Sequence, residues 1–267
     1  MRTRFSRTLS LFAFVLPIVA MLPSCQTSPT GRKQLAFVSD KQMDQMGEQA
    51  FAEMKNKQPI ESDRSQNQYV QCVAKAITAV LPEKRDWEIV VFKDDTANAF
   101  ALPGGKIGVH TGLLKVARTP SQLAAVLGHE VGHVLAAHSK ERVSEQMVTQ
   151  GGLQVLGAIL GNPNDTRHAV VMGALGLGAQ YGVALPHGRR QESEADIIGL
   201  DLMAKAGFDP RESIQLWKNM AEAGGGNPPE FLSTHPSHEN RIKGLSDGMN
   251  TALATYNQAK QHPSCRL

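Results

Sequence analysis

Cysteine is scarce in this chain: three in 267 residues, Cys25, Cys72 and Cys265, none beside a histidine arrangement that would serve a thiol nucleophile. Catalysis by a thiol is thereby set aside. Net charge is equally thin. The formal +3 equals the contribution of Arg2, Arg4 and Arg7 near the N-terminus, so the rest of the chain is close to neutral and carries no basic field for nucleic acid. Long apolar runs are also missing. Residues 11–22 are apolar but too few to cross a bilayer as a helix, and 168–185 come near that length but are broken by glycines, Gln180 and Tyr181. No internal repeat is present. Hydrophobic residues make up 41% of the chain, enough to build the core of one large domain.

What is present is His129-Glu130-Val131-Gly132-His133 inside an apolar stretch of strong helix formers, Ser121 to His138. One helical turn takes about 3.6 residues, so the two imidazoles project from one face and can share a metal ion, with Glu130 set slightly off that axis to hold the attacking water. A buried helix with two self-satisfied histidines would look the same over five residues. A third ligand decides between them, because a catalytic zinc takes three protein ligands and leaves one position open. Arg190 to Gly199 supplies carboxylates at 192, 194 and 196. Glu192 and Asp196 share a helix face, and Glu194 points away from it. Glu192 is the expected third ligand, and Asp196 the outer acceptor that orients a ligand histidine. His138 is expected to face elsewhere. His110, His168, His187, His238 and His262 have no usable partner spacing.

H-E-x-x-H followed by E-x-x-A-D resembles the gluzincin peptidase family of HtpX and the CAAX prenyl protease, and within it the periplasmic lipoprotein branch of LoiP and BepA type. Asn98 to Val109 resembles the segment before the family's active helix, and Ser233-Thr234-His235-Pro236 with Arg241-Ile242 resembles its later S-T-H-P segment. The likeness runs from about Gly31 to Asn250, with the motifs in the family's order. It implies one zinc ion per chain, bound by His129, His133 and Glu192. His235 is then a candidate either for a donor to the developing oxyanion or for a fourth ligand that silences the resting site. Arg241 would support either arrangement.

The N-terminus gives an address. Arginines followed by the apolar residues 11–22 read as a signal peptide over 1–24, and Leu22-Pro23-Ser24-Cys25 resembles a bacterial lipobox with Cys25 as the lipidated residue. Gln26 in the next position favours an outer-membrane anchor facing the periplasm, with acyl chains supplying the membrane attachment. Cys72 and Cys265 then remain, either as a disulfide tying down the C-terminal tail or as two separate thiols.

The expected class is α+β, a mostly helical zincin-type peptidase domain over 39–267 with a small antiparallel sheet, entered from a lipidated N-terminus and linker at 25–38. Helices are expected at about 40–56, with Ser39 as cap, and at 63–81, 119–139, 141–160, 167–185, 191–206, 210–223 and 238–258. Trp87 to Phe92 reads as a strand, and 98–101 with 106–110 as a hairpin turned by Pro103-Gly104-Gly105. Gly104, Gly105 and Gly108 either serve only the turn or allow a substrate strand to come close. Residues 151–185 read either as a helical hairpin over the cleft or as close-packed core helices. The function implied is a zinc endopeptidase that cleaves unfolded or misassembled envelope proteins. The alternative is an assembly factor or holdase for outer-membrane proteins with a latent, regulated site.

Overall fold

The computed structural model describes residues 25–150, 166–177, 188–223, 230–235 and 239–267. The expected leader therefore lies outside the described residues, and of the stretch 151–185, read either as a hairpin over the cleft or as core helices, only 166–177 are described.

Two antiparallel strands, β1 (Cys25–Thr27) and β2 (Lys33–Leu35), precede the helices α1 (Asp40–Lys57) and α2 (Arg64–Ala79). A three-stranded sheet follows, built from β3 (Glu88–Phe92), β4 (Ala99–Leu102) and β5 (Lys106–His110). The short α3 (Leu113–Val116) leads to α4 (Pro120–Leu135) and α5 (His138–Gln150). Then come α6 (Thr166–Ala174), α7 (Arg189–Lys205), α8 (Glu212–Ala223), α9 (Glu230–Thr234) and α10 (Glu239–Asn257). The expected class holds, with one refinement: strand order is β3-β5-β4, and β3 runs parallel to β5 while β4 runs antiparallel, so this sheet is mixed. The stretch read as a linker is also different. It is the β1–β2 hairpin, because Gly31 takes φ 90 and closes a turn that lets Lys33–Leu35 pair back on Cys25–Thr27.

Helix starts follow their caps. Ser39 and Gln42 form a reciprocal capping box on α1, Asp63 accepts from the Gln66 N–H on α2, and Thr119 accepts from Gln122 N–H with Pro120 in the first turn of α4. Each such cap contributes about 1 kcal/mol. The expected helix over 119–139 does not run through. Ala137 takes φ 54, a left-handed conformation that separates α4 from α5, which starts at His138.

α4 is the hub, buried continuously from Gln122 to His133 and packed against β4, α2, α7 and α8. Its Leu123, Val126, Leu127 and Val131 are at most 1% exposed. At about 1.5–3 kcal/mol for each large apolar side chain buried, this face fixes where the two histidines point. α7 crosses α4 at Gly128 and Gly199. A Cβ on Gly199 would lie 2.7 Å from His129 N, and one on Gly128 would lie 2.8 Å from Gly199 O. Neither position has room for a side chain, and that close approach carries Glu192 to the histidines.

Gly104 and Gly105 take φ 79 and 69 in the β4–β5 turn, while a Cβ on Gly108 would collide with the Phe100 ring. Of the two readings of these glycines, the structure supports turn and packing over approach by another chain. A disulfide joins Cys72 on α2 to Cys265, with Cα atoms 5.8 Å apart, and fixes the C-terminal tail to the core. Among the described residues, no helix is long and apolar enough to cross a membrane.

Candidate metal centre

His129 and His133 leave α4 one turn apart, Glu192 leaves the first turn of α7, and His235 follows α9. One donor atom from each of these four side chains lies within 4.8 Å of the others, and all four are buried. His129 Nε2 is 3.0 Å from His133 Nε2 and 3.5 Å from Glu192 Oε2. His133 Nε2 is 3.4 Å from Glu192 Oε1. His235 Nδ1 closes the group at 3.0 Å from Glu192 Oε1 and 3.3 Å from His129 Nε2.

The ring protons can be assigned from their partners. His129 Nδ1 lies 2.9 Å from Asp196 Oδ1 and donates to it. That leaves the Nε2 lone pair aimed at the cluster. His133 Nδ1 lies 2.8 Å from His138 Nδ1, and His138 Nε2 lies 3.1 Å from Glu194 Oε2. An ionised carboxylate only accepts, so His138 Nε2–H donates to Glu194, His138 Nδ1 accepts a hydrogen bond from His133 Nδ1–H, and His133 Nε2 is left unprotonated as well. With both rings neutral, the two Nε2 lone pairs face each other at 3.0 Å, an arrangement relieved by a cation shared between them, a proton on His129 or a metal ion.

Three buried carboxylates, Glu130, Glu192 and Asp196, lie around the cluster with the buried Arg241 beside them, and the buried Arg142 is within electrostatic reach of Glu130 and Glu192. Two or three imidazoles with one carboxylate form a donor set suited to zinc. The residues therefore fit the metal that the motif implies.

Arg241 binds Glu192 and Asp196 of α7. Its Nε and Nη2 donate to Asp196 at 2.7 and 2.6 Å, and its Nη1 forms an ion pair with Glu192 Oε2 at 2.7 Å. The guanidinium stacks 3.7 Å from the centroid of the Trp217 ring, which fixes its plane. Burial would raise the Asp196 pKa, but Arg241 and the His129 hydrogen bond outweigh it and hold it low. Burial and Arg241 depress the His129 pKa, yet Asp196 and Glu192 outweigh them and push it up to about 9. For His133 burial wins, and its pKa falls well below the ordinary histidine value.

Glu130 is set apart from the ligand atoms. Its Oε1 is buried without a hydrogen-bond partner and lies 3.4 Å from His235 Nε2, and a backbone hydrogen bond links the side chain to Ala101 of β4. Burial raises its pKa against the pull of His235 and His129.

The structure thus brings together His129, Glu130, His133, Glu192, Asp196, His235 and Arg241. Cys25 is exposed at the start of β1, away from this group. The expectation for His138 is overturned: it is fully buried and hydrogen-bonded to His133. Helical periodicity carried past residue 136 rotates it away, whereas the left-handed turn at Ala137 rotates it back. Glu194 faces away from the Glu192 side, as expected, but onto His138, Thr30 and Arg32. Sequence reasoning missed Thr30 and Arg32. The one signal for Arg32 was a cation between glycine and lysine in a stretch read as a linker.

Residues 63–248 match Peptidase family M48. Among curated proteins, the chain is 38% identical over 182 residues to the mitochondrial metalloendopeptidase OMA1 of Schizosaccharomyces pombe, covering 67% of this chain and 52% of that protein. It is 31% identical over 260 residues to the beta-barrel assembly-enhancing protease of Yersinia pestis, covering 94% of this chain and 50% of the relative. The human mitochondrial metalloendopeptidase OMA1 is 31% identical over 268 residues, covering 91% and 50%. The chain spans about half the length of each of these relatives.

Proposed function

Because the chain belongs to peptidase family M48, we propose that it is a zinc-dependent endopeptidase of the bacterial cell envelope that cleaves unfolded or misassembled envelope proteins. The observation that carries this reading is the convergence of His129, His133 and Glu192 around shared lone pairs with Glu130 beside them. His129, His133 and Glu192 would hold the zinc. Bound there, zinc lowers the pKa of a water to about 7 and polarises a carbonyl oxygen.

The chain's own groups supply the rest. Burial raises the Glu130 pKa toward the working pH, which suits a carboxylate that takes a proton from water at one oxygen and returns it to a leaving amine. Among the described residues β4 pairs only with β5, and in this proposal an extended peptide lies along its other edge. Backbone pairing along such an edge reads no side-chain sequence, which suits unfolded clients. The hydrogen bond between Ala101 and Glu130 would bring that peptide beside the base. Attachment through a lipid on the exposed Cys25, in the outer membrane and facing the periplasm, is the address proposed with this activity.

Glu130→Gln tests it. The variant is expected to keep its zinc and lose cleavage of an unfolded protein by about 10²-fold or more. Unchanged turnover would remove Glu130 as the base.

His235 favours a second reading. Its ring closes the donor cluster and lies beside Glu130, so it would serve as a donor to the oxyanion or as a fourth ligand that keeps the site latent. A latent site suits an assembly factor or holdase for outer-membrane proteins whose proteolysis is regulated. Rescue of an envelope defect in a deletion strain by Glu130→Gln would favour binding over cleavage, and His235→Ala separates the roles: faster cleavage for a silencing ligand, slower for an oxyanion donor.

A further inference from the structure

The two histidines of α4 are held by different means. His129 reaches a carboxylate directly, whereas His133 reaches one only through a second histidine. That second carboxylate, Glu194, is held by the N-terminal hairpin. Thr30 Oγ1 donates to its Oε1 at 2.5 Å and Arg32 Nε to its Oε2 at 2.8 Å. The same guanidinium clamps Glu141 of α5 through both terminal nitrogens, at 2.6 and 2.8 Å. Gln191, next to Glu192, donates to Glu141 at 2.6 Å, and Gln34 of β2 donates to the Ala136 carbonyl at 2.8 Å. His138 is 0% and Glu194 4% exposed, so these bonds lie where an unmet polar group is expensive.

We propose that His138 is a positioning residue for His133, and that the β1–β2 hairpin, through Thr30 and Arg32, is a built-in part of the metal centre. The charge of Arg32 and the Thr30 hydroxyl keep Glu194 an acceptor. Glu194 fixes the proton of His138 at Nε2, and His138 Nδ1 fixes the proton of His133 at Nδ1. His133 Nε2 is thereby kept bare and aimed at the cation. This rests on the reading that the four-residue cluster holds a metal. The hairpin is no tether: it begins at Cys25 and ends against the helix that carries the ligands.

The test is zinc affinity of the whole chain, measured by competition with a chromophoric chelator, with Zn²⁺ as the probe and folding followed by circular dichroism. His138→Phe fills the space but accepts nothing, and is expected to weaken zinc about 10–100-fold. His138→Gln, whose amide can accept from His133 and donate to Glu194, is expected to recover most of that loss. Arg32→Gln, on the partly exposed hairpin, is expected to weaken zinc several-fold, and it carries the test if His138→Phe does not fold. His110→Phe removes an equally buried histidine on β5 and is expected to leave zinc affinity unchanged. Wild-type affinity in folded His138→Phe, or in Arg32→Gln, overturns the relay. Wild-type protein that binds no zinc overturns the metal reading itself and the relay with it.

Discussion

His129 and His133 sit four residues apart on one helix, yet their outer supports differ in length and origin. On the His129 side a single carboxylate on α7, Asp196, is pinned by Arg241, which in turn lies on Trp217. On the His133 side the chain of bonds runs through His138 and Glu194 to Thr30 and Arg32, more than one hundred residues earlier in sequence. The short support lies within the helical core, while the long one depends on a hairpin at the margin of the fold. One metal centre can thus draw its rigidity from two unrelated parts of the chain, and the two can be loosened separately.

Loosening the short support at Asp196 should give a larger effect than loosening the long one at Arg32. Asp196→Asn keeps the size of the side chain but weakens both the acceptor for His129 and the partner of Arg241, and a loss of about 10–100-fold in zinc affinity is expected. Equal affinities for Asp196→Asn and wild type would mean that ring direction is set by α4 packing alone.

Acid should find the long support. Burial would raise Glu141 above its ordinary 4.5, but the Arg32 guanidinium and the Gln191 amide outweigh it and hold it lower. The unfolded chain then binds that proton more readily than the folded one. The stability contributed by the pair is complete above about pH 4.5 and is lost as pH falls through the depressed folded value. Thermal melts of metal-free protein should show a steeper decline below about pH 4.5 in wild type than in Arg32→Met. Identical slopes would leave the clamp without energetic weight.

The smallest effect belongs to the turn between the two supports. Ala137 at φ 54 carries the strain of a left-handed β-carbon, so Ala137→Gly should raise stability by about 0.5–1 kcal/mol, read as a shift in urea midpoint. A loss of stability would show that the alanine methyl packs more than it strains.

That turn also marks how far the sequence could be read. His129, His133, Glu192 and Asp196 were legible because each pair obeys an i,i+4 relation on one unbroken helix, a rule that needs no tertiary information. Ser39 and the Pro103-Gly104-Gly105 turn were legible because their local chemistry acts within four residues. The partnership of His138 was not legible, because a non-glycine residue with positive φ breaks the periodicity on which the extrapolation stood. The hairpin was missed because three-residue strands carry too little alternation to separate from a linker, and their pairing is fixed by side chains on α5 and α7. The mixed sheet was missed because strand direction depends on connections rather than composition.

A three-ligand site requires that a distant acid meet two neighbouring rings at a cation. Zinc content of purified wild type and Glu192→Ala, measured side by side on folded protein, tests this most directly. About one zinc per wild-type chain and none in Glu192→Ala is predicted from a three-ligand site. Full zinc occupancy in Glu192→Ala would contradict it.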